Sequence, residues 1–347
     1  MLVEVNKMKA IQVVSPLNIK ICEMEKPEIK NDQEVLVKVK AAGICGSDMH
    51  IYHGTSPVAT YPRIIGHEVV GVVEEIREGV SKVKLGDHVI IDPVINCGQC
   101  YACKSGRQNV CNSLKVRGVH EDGGYREYMV VPESSLHILS KDLSWEEAVM
   151  IEPFTIAAQV CSRGNIKKED TVFIMGAGPV GQSILQVAKK IKAKCIISDL
   201  IESRLEKAKV LGADRTINVG TENVKDIIMK ETNNEGVPVV IDAVCTTKSF
   251  EDAFNYVASA GRIVVLGLNK KPSQIAQMHI MVKELDVRGS RLHNNKFPQV
   301  TAWFNNREIV AKDMISHVFH FTDIHKAIEL IEDKNIENQK VILKFYE

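Results

Sequence analysis

The chain carries no net charge, because its 44 Lys and Arg residues are balanced by 44 Asp and Glu. That balance weighs against a nucleic-acid or anionic-membrane partner, whereas a local basic pocket for an acidic substrate remains open. No apolar run is long enough to span a membrane, and Met1–Ala10 lacks the apolar core of a signal peptide. Internal repeats and low-complexity linkers are missing too, which removes solenoids and tethered arrays. The nine cysteines are an odd number with four in one cluster, a pattern that suits reduced thiols better than a disulfide framework. The expectation is a cytoplasmic protein with neither a nucleic-acid nor a membrane partner.

What is there reads as an enzyme. At 347 residues the chain exceeds what one core supports, so two domains are expected. The first 150 residues are β-rich, with apolar runs at Val35–Val39, Val69–Val73 and His88–Ile91 separated by Gly, Pro and Asp turns. From about Asp170 strands alternate with helices. Strands are expected at Val172–Met175, Cys195–Ser198, Val239–Ile241 and Ile263–Leu266. Helices are expected over Val180–Ile191, Ser203–Leu211 and about Ser249–Ser259. That alternation predicts βαβ units and a parallel sheet. After Leu285–Arg288, a helix near Pro298–Asn305 and a closing strand Val341–Phe345 return to the first pattern. The expected layout is residues 1–155, an inserted nucleotide domain at 156–291, and a return segment at 292–347, with a cleft between the domains.

Four cysteines spaced C-x2-C-x2-C-x7-C, at Cys97, Cys100, Cys103 and Cys111, are the strongest metal signal. Four thiolates within a lobe of residues 97–111 match a closed tetrahedral structural zinc site, and Gly98 and Gly106 allow tight turns around it. A second signal is Gly176-Ala177-Gly178-Pro179-Val180-Gly181, a GxGxxG loop that follows a strand and opens a helix. Its glycines permit a tight turn and close backbone approach to a pyrophosphate, with the helix N-terminus facing the phosphates. Asp199 closes the next strand, where a carboxylate binds ribose hydroxyls and repels a 2′-phosphate, so NAD is expected over NADP. The plainer role for Asp199 is a turn or helix cap. Arg204 is either an adenosine contact or a solvated helix residue.

Cys45-Gly46-Ser47-Asp48-Met49-His50 and Gly66-His67-Glu68 carry further metal-binding and titratable side chains. Neither segment is diagnostic alone. In order with the cysteine cluster, Glu152-Pro153-Phe154-Thr155, the glycine loop and Gly261-Arg262-Ile263-Val264-Val265-Leu266-Gly267, they make the whole chain resemble the zinc-containing medium-chain dehydrogenases, in their polyol and sugar-acid branch. The resemblance implies an α/β fold, with a β-rich GroES-like catalytic domain plus a Rossmann doubly wound parallel sheet. It implies two zinc ions per chain, one structural and one catalytic. Cys45 and His67 would hold the catalytic ion, with Glu68 as a ligand or close neighbour. Glu152 stands where classical members have a further cysteine, so a carboxylate, directly or through water, replaces that thiolate. Asp48 resembles the carboxylate that orients the histidine.

Such an ion lowers the pKa of a bound hydroxyl, and the alkoxide can then expel hydride onto the nicotinamide. By resemblance Ser47 takes the hydroxyl proton and His50 passes it to solvent. The plainer roles are a helix N-cap for Ser47 and a surface residue for His50. Closer resemblance is to starvation-sensing-protein type zinc dehydrogenases and to L-gulonate and L-galactonate 5-dehydrogenases. It rests on Gly118-Val119-His120-Glu121-Asp122-Gly123-Gly124, Ile151-Glu152-Pro153-Phe154 and Gly289-Ser290-Arg291-Leu292 with Asn294 and Lys296. A hexonate oxidised at C5 is the implied substrate. Arg291 offers a planar fork that matches its carboxylate, while His120, Tyr52 and Asn294 offer hydrogen bonds to its hydroxyls. An inter-domain ion pair for Arg291 and loop capping for His120 are the alternatives. Rival functions are a sorbitol-type polyol dehydrogenase, an L-threonine dehydrogenase, and a catalytically weak NAD-sensing regulator. The family also implies a homodimer or homotetramer, with the nucleotide-domain sheet continued across an interface.

Overall fold

The computed structural model describes residues 7–333 and 335–347. Residues 1–6, part of the segment read for a signal peptide, lie outside the described residues. The chain divides into two compact units: one runs through Glu152 and resumes over Phe297–Glu347, and the other is Pro153–Lys296.

In the first unit the hairpin of Lys7–Ser15 and Asn18–Glu25 is extended by the short strand Arg63–Ile64. A larger sheet runs in the order Leu136–Ile138, His88–Ile91, Glu68–Ile76, Glu34–Ile44, Lys340–Lys344, Ile315–His320, with Tyr128–Pro132 also pairing with Glu34–Ile44. Val, Ile and Ala dominate these strands because β-branched side chains fit a pleated surface packed on a core. Val35, Val37, Val39 and Ala42 join Val69, Val89, Val341 and Leu343 in one buried cluster. Two register facts matter below. Gly43 lies opposite Glu68, and Val341 lies opposite Ile44.

The second unit holds six strands, Thr171–Met175, Lys194–Asp199, Arg215–Asn218, Val237–Asp242, Val257–Val265 and Asp286–Gly289. All pair in parallel, in the spatial order third, second, first, fourth, fifth, sixth. This is the doubly wound order, in which a dinucleotide binds where the order reverses, beside the first strand. Its buried core includes Phe173, Ile196, Ile217, Val240 and Ile263.

Two departures from the sequence expectation have local causes. The helix expected to about Ser259 ends at Tyr256, and the fifth strand begins at Val257, because Val257 turns extended and pairs with Val237. The strand Arg215–Asn218 and the helix Val224–Glu231 are additional elements. Arg-Thr-Ile-Asn is short, with Ile217 its one apolar residue, as suits an edge strand, and so shows no apolar run.

Candidate active site and nucleotide loop

The candidate metal-binding side chains of the first unit are positioned by its sheet. The strand Glu34–Ile44 ends at Cys45, which caps the short helix Gly46–Tyr52. Asp48, in the first turn, accepts the Cys45 N–H through Oδ2 at 2.9 Å and the Gly66 N–H through Oδ1 at 3.1 Å. It thereby ties the cysteine segment to the one bearing His67. Ser47 is therefore not the N-cap; Cys45 occupies that position.

Cys45, His67 and Glu68 each present a ligand atom within 4.8 Å of the others. The His67 ring has Nδ1 3.6 Å from Asp48 Oδ1 and Nε2 3.5 Å from Ser47 Oγ. Glu152 is buried at the start of the helix Ile151–Arg163 but is not a member of that close group. His50 is exposed, and its Nδ1 pairs with Thr55 Oγ1 at 2.9 Å. Ser47 and His50 share a helix, yet the hydrogen bond of each goes elsewhere.

Two residues of this site escaped the sequence reading. Tyr125, wholly buried, donates its hydroxyl to Gly43 O at 3.0 Å and lies 3.3 Å from Asp48 Oδ2. Lys340 reaches Glu68 with Nζ at 2.6 Å from Oε1 and 2.7 Å from Oε2. A tyrosine in a glycine-rich loop and a lysine 272 positions from its partner carry no local signal.

The electrostatics favour a cation. Burial alone would lower the basicity of His67, but the Asp48 carboxylate and Cys45 outweigh it and raise it well above the usual range. Burial, with Asp48, Glu68 and Cys45 acting in the same direction, pushes the Tyr125 hydroxyl well up. Lys340 is also raised, against burial, by Glu68, Cys45 and Glu152. His67 and Lys340 are thus both raised against burial by the neighbouring anionic groups, and a thiolate, an imidazole and a carboxylate are the donor set zinc takes. The residues fit a catalytic zinc.

The cysteine lobe fits a second ion. Sulfur–sulfur distances are 3.5 Å for Cys100–Cys103, 3.8 Å for Cys100–Cys111 and 3.4 Å for Cys111–Cys97. A tetrahedron with zinc–sulfur bonds of about 2.3 Å has edges of about 3.8 Å, so the thiols already stand near the required spacing. The N–H groups of Cys97 and Ser113 each lie 3.3 Å from Cys111 Sγ. Backbone N–H groups of Asn112 and Cys103 bring the Cys100 thiol down to about 6. Gly98 and Gly106 both have φ of +71°, the left-handed conformation that favours glycine.

In the second unit the glycine loop joins the first strand to the helix Pro179–Lys190. A Cβ on Gly181 would stand 1.9 Å from Gly176 O, so the last glycine lets helix and loop close together. A Cβ on Gly178, the N-cap of that helix, would meet nothing within 4 Å, so the loop is open there. Pro179 and Val180 open that helix. Asp199 accepts the Ala177 N–H at 2.8 Å and the Ile201 N–H at 3.0 Å, with Arg204 Nη1 3.8 Å away. It therefore fills its structural role, and two carboxylate lone-pair positions remain.

Of the other substrate candidates, Tyr52 and His120 lie in the first unit and Arg291 and Asn294 in the second. Tyr52 packs against the core of the first unit. His120 accepts the Val116 N–H on Nδ1 at 3.1 Å, which is loop capping. Arg291 is exposed in the second unit, and the Asn294 N–H donates to Gln159 Oε1 at 3.3 Å.

Comparison with known proteins agrees with this geometry. Residues 31–141 match the alcohol dehydrogenase GroES-like domain, and residues 179–306 match the zinc-binding dehydrogenase domain. The chain is 43% identical to the starvation-sensing protein RspB of Escherichia coli, over 98% of this chain and 100% of that protein. It is 30% identical to the L-galactonate-5-dehydrogenase of Escherichia coli, over 96% and 100% respectively. A crystal structure of the rspB alcohol dehydrogenase from Escherichia coli, complexed with the cofactor NADH, superposes with a TM-score of 0.91 at 42% identity, covering 98% of this chain and 100% of that one. The protein belongs to the zinc-containing medium-chain alcohol dehydrogenases, in their polyol and sugar-acid branch.

Proposed function

We propose that the protein is an NAD-dependent dehydrogenase that oxidises a secondary alcohol of a sugar acid, at C5 of a hexonate such as L-gulonate or L-galactonate. The observation that carries the chemistry is the convergence of Cys45, His67 and Glu68 beside Ser47, in a pocket whose potential favours a cation. The sugar-acid assignment is supported by the likeness to an L-galactonate dehydrogenase along the whole chain.

Bound at this pocket, a zinc ion supplies the Lewis acidity that makes a substrate hydroxyl acidic near neutral pH. Cys45 and His67 would hold it, with Glu68 or Glu152 as the carboxylate, and the four-cysteine lobe would hold the structural ion. Asp48 fixes the His67 ring by facing Nδ1, which leaves Nε2 for the metal side. Ser47 takes the hydroxyl proton, and His50, whose ring is exposed, hands it to solvent. A bridging group is required between the two. The glycine loop binds the pyrophosphate of NAD, and Asp199 accepts the adenosine ribose hydroxyls with Arg204 alongside. The Asp199 charge disfavours the 2′-phosphate of NADP. Arg291 binds the substrate carboxylate, and Tyr52, His120 Nε2 and Asn294 serve its hydroxyls.

We also propose a cytoplasmic homodimer or homotetramer. Leu268, Met281 and Val282, in the segment between the fifth strand and the edge strand Asp286–Gly289, are 89%, 68% and 67% exposed, large apolar side chains that a partner subunit would cover. A single molar mass equal to one chain in light scattering would reject that assembly.

The test of function is NAD reduction near pH 8, with zinc present, against L-gulonate, L-galactonate, D-mannonate, sorbitol and L-threonine. An aldonate with kcat/KM above about 10⁴ M⁻¹ s⁻¹ supports the sugar-acid reading. Turnover of sorbitol or threonine alone keeps the zinc mechanism and discards the carboxylate anchor. Silence across the panel, with NAD bound, favours an NAD-sensing regulator.

A further inference from the structure

The helix Gly46–Tyr52, which carries Ser47 and His50, ends in a tight reversal. His53 is its C-cap, and Gly54 follows at φ of +73°, the left-handed conformation that closes a helix and turns the chain back. The reversal brings Thr55 and Ser56 over the last turn, where both donate their backbone N–H groups to His50 O, at 2.9 and 3.1 Å. Two contacts brace the turn from outside. His53 Nε2 lies 2.5 Å from Glu332 Oε1, and the Leu17 N–H donates to Tyr52 O at 2.7 Å. Thr55 is thereby held with its hydroxyl against the His50 ring. Its Oγ1 lies 2.9 Å from Nδ1 and donates to His50 O at 3.3 Å. A hydroxyl has only one hydrogen. With that hydrogen on the carbonyl, the oxygen accepts from the ring, so Nδ1 carries the proton and Nε2 is the bare nitrogen.

We propose that Thr55 is a positioning residue for proton release: it fixes His50 in the tautomer protonated on Nδ1, so that Nε2 takes up the proton lost by the substrate. In a neutral imidazole one nitrogen donates and the other accepts, and the hydrogen bond made by one sets the role of the other. A ring protonated on Nε2 has no lone pair there and must exchange or flip before each turnover. With Nδ1–H held on Thr55, the proton that leaves the substrate hydroxyl through Ser47 bonds to the Nε2 lone pair. That same N–H bond breaks when the imidazolium gives the proton to water, and the ring returns to its starting form with Nδ1 unchanged. The inference rests on the reading of His50 as the group that hands the proton to solvent.

The tautomer can be read directly from long-range proton–nitrogen NMR spectra of the full-length, zinc-loaded protein, at a pH where the ring is neutral. The His50 signals are assigned by their loss in His50→Gln. Wild type and Thr55→Ser should carry the ring proton on Nδ1, and Thr55→Val should move it to Nε2. With the best substrate of the panel above, kcat for alcohol oxidation should fall about two- to tenfold in Thr55→Val, the size of one net hydrogen bond, and stay within about twofold of wild type in Thr55→Ser. In a His50→Gln background Thr55→Val should have no further effect, since the two residues act as one unit. A wild-type ring protonated on Nε2 would mean that the hydroxyl donates to Nδ1, and it overturns the proposal. A loss of kcat that Thr55→Ser does not rescue, or that persists with His50→Gln, is a structural effect of the turn and overturns it as well. Wild-type turnover in His50→Gln would instead refute the proton-release reading on which the inference rests, whatever the spectra show.

Discussion

Asp48→Asn tests the electrostatic design of the catalytic pocket most directly, because it changes charge with almost no change in shape. The two Asp48 oxygens accept the N–H of Cys45 at 2.9 Å on Oδ2 and the N–H of Gly66 at 3.1 Å on Oδ1, with the Tyr125 hydroxyl oxygen 3.3 Å from Oδ2 and His67 Nδ1 3.6 Å from Oδ1. An asparagine has one oxygen and one NH₂ for these two pairs. If its NH₂ faces Cys45, that N–H loses its acceptor. If it faces Gly66, that N–H is orphaned and His67 must accept on Nδ1, which moves the proton to Nε2 and spoils the ring as a ligand. Either orientation leaves one buried N–H unsatisfied, at a cost of about 1–3 kcal/mol. Loss of the orienting charge should further weaken metal binding by about 10- to 100-fold, or roughly 1.4–2.7 kcal/mol. Zinc competition with a chelator should therefore show one weakened site per chain and one unchanged. The cysteine lobe, which Asp48 does not touch, is the internal control. If both sites keep wild-type affinity and thermal stability is unaltered, the orienting role assigned to Asp48 is wrong.

Further outcomes are expected from the same geometry. Ser47→Ala should lower kcat by about 10²–10⁴ with two zinc ions still bound; near-normal turnover removes Ser47 from the proton path. Asp199→Ser should raise the KM for NAD by about 10- to 150-fold, the equivalent of one charged hydrogen-bond set, and narrow the preference over NADP. An unchanged cofactor ratio would leave Asp199 with only its loop and turn contacts. In the nucleotide unit, burial acts to raise the Asp214 carboxyl, but Lys189 at 2.8 Å and the Cys195 N–H at 2.7 Å outweigh it and hold it below the usual range. A folded-state pKa below the unfolded value gives stability that is full above about pH 4 and is lost as pH falls through the folded value. Acid unfolding of Asp214→Asn should therefore show a shallower loss of stability below about pH 4 than wild type, and identical limbs would contradict the ion pair's contribution.

The features legible in the sequence share one property: their signal is local. The four cysteines fall within fifteen residues, and the glycine loop is read from six consecutive positions between a strand and a helix. Asp48 sits three residues from the Cys45 N–H that it caps, the span of one helical turn. Strand and helix alternation over Val172–Val265 likewise follows from periodicity within short windows. Where the signal was weak, as in the polar edge strand Arg215–Asn218 or the early start of the strand at Val257, the sheet decided by pairing.

What no window of sequence contains is the company a residue keeps across the fold. Glu68 reads as half of a Gly-His-Glu motif, and only sheet register sets it opposite Gly43 with Lys340 on its carboxylate. Tyr125 becomes part of the metal pocket because its loop folds over Gly66, where a Cβ would lie 2.2 Å from the ring. Glu152, Glu68 and Lys340 are equally charged letters in the sequence, yet burial turns their relative placement into the property that governs the site. By itself the sequence determined which chemistry the chain can support, because ligand and loop residues must be of certain types at certain spacings. The tertiary structure alone decided which carboxylate is restrained and by what, because that depends on side chains brought within 3 Å from opposite ends of the chain.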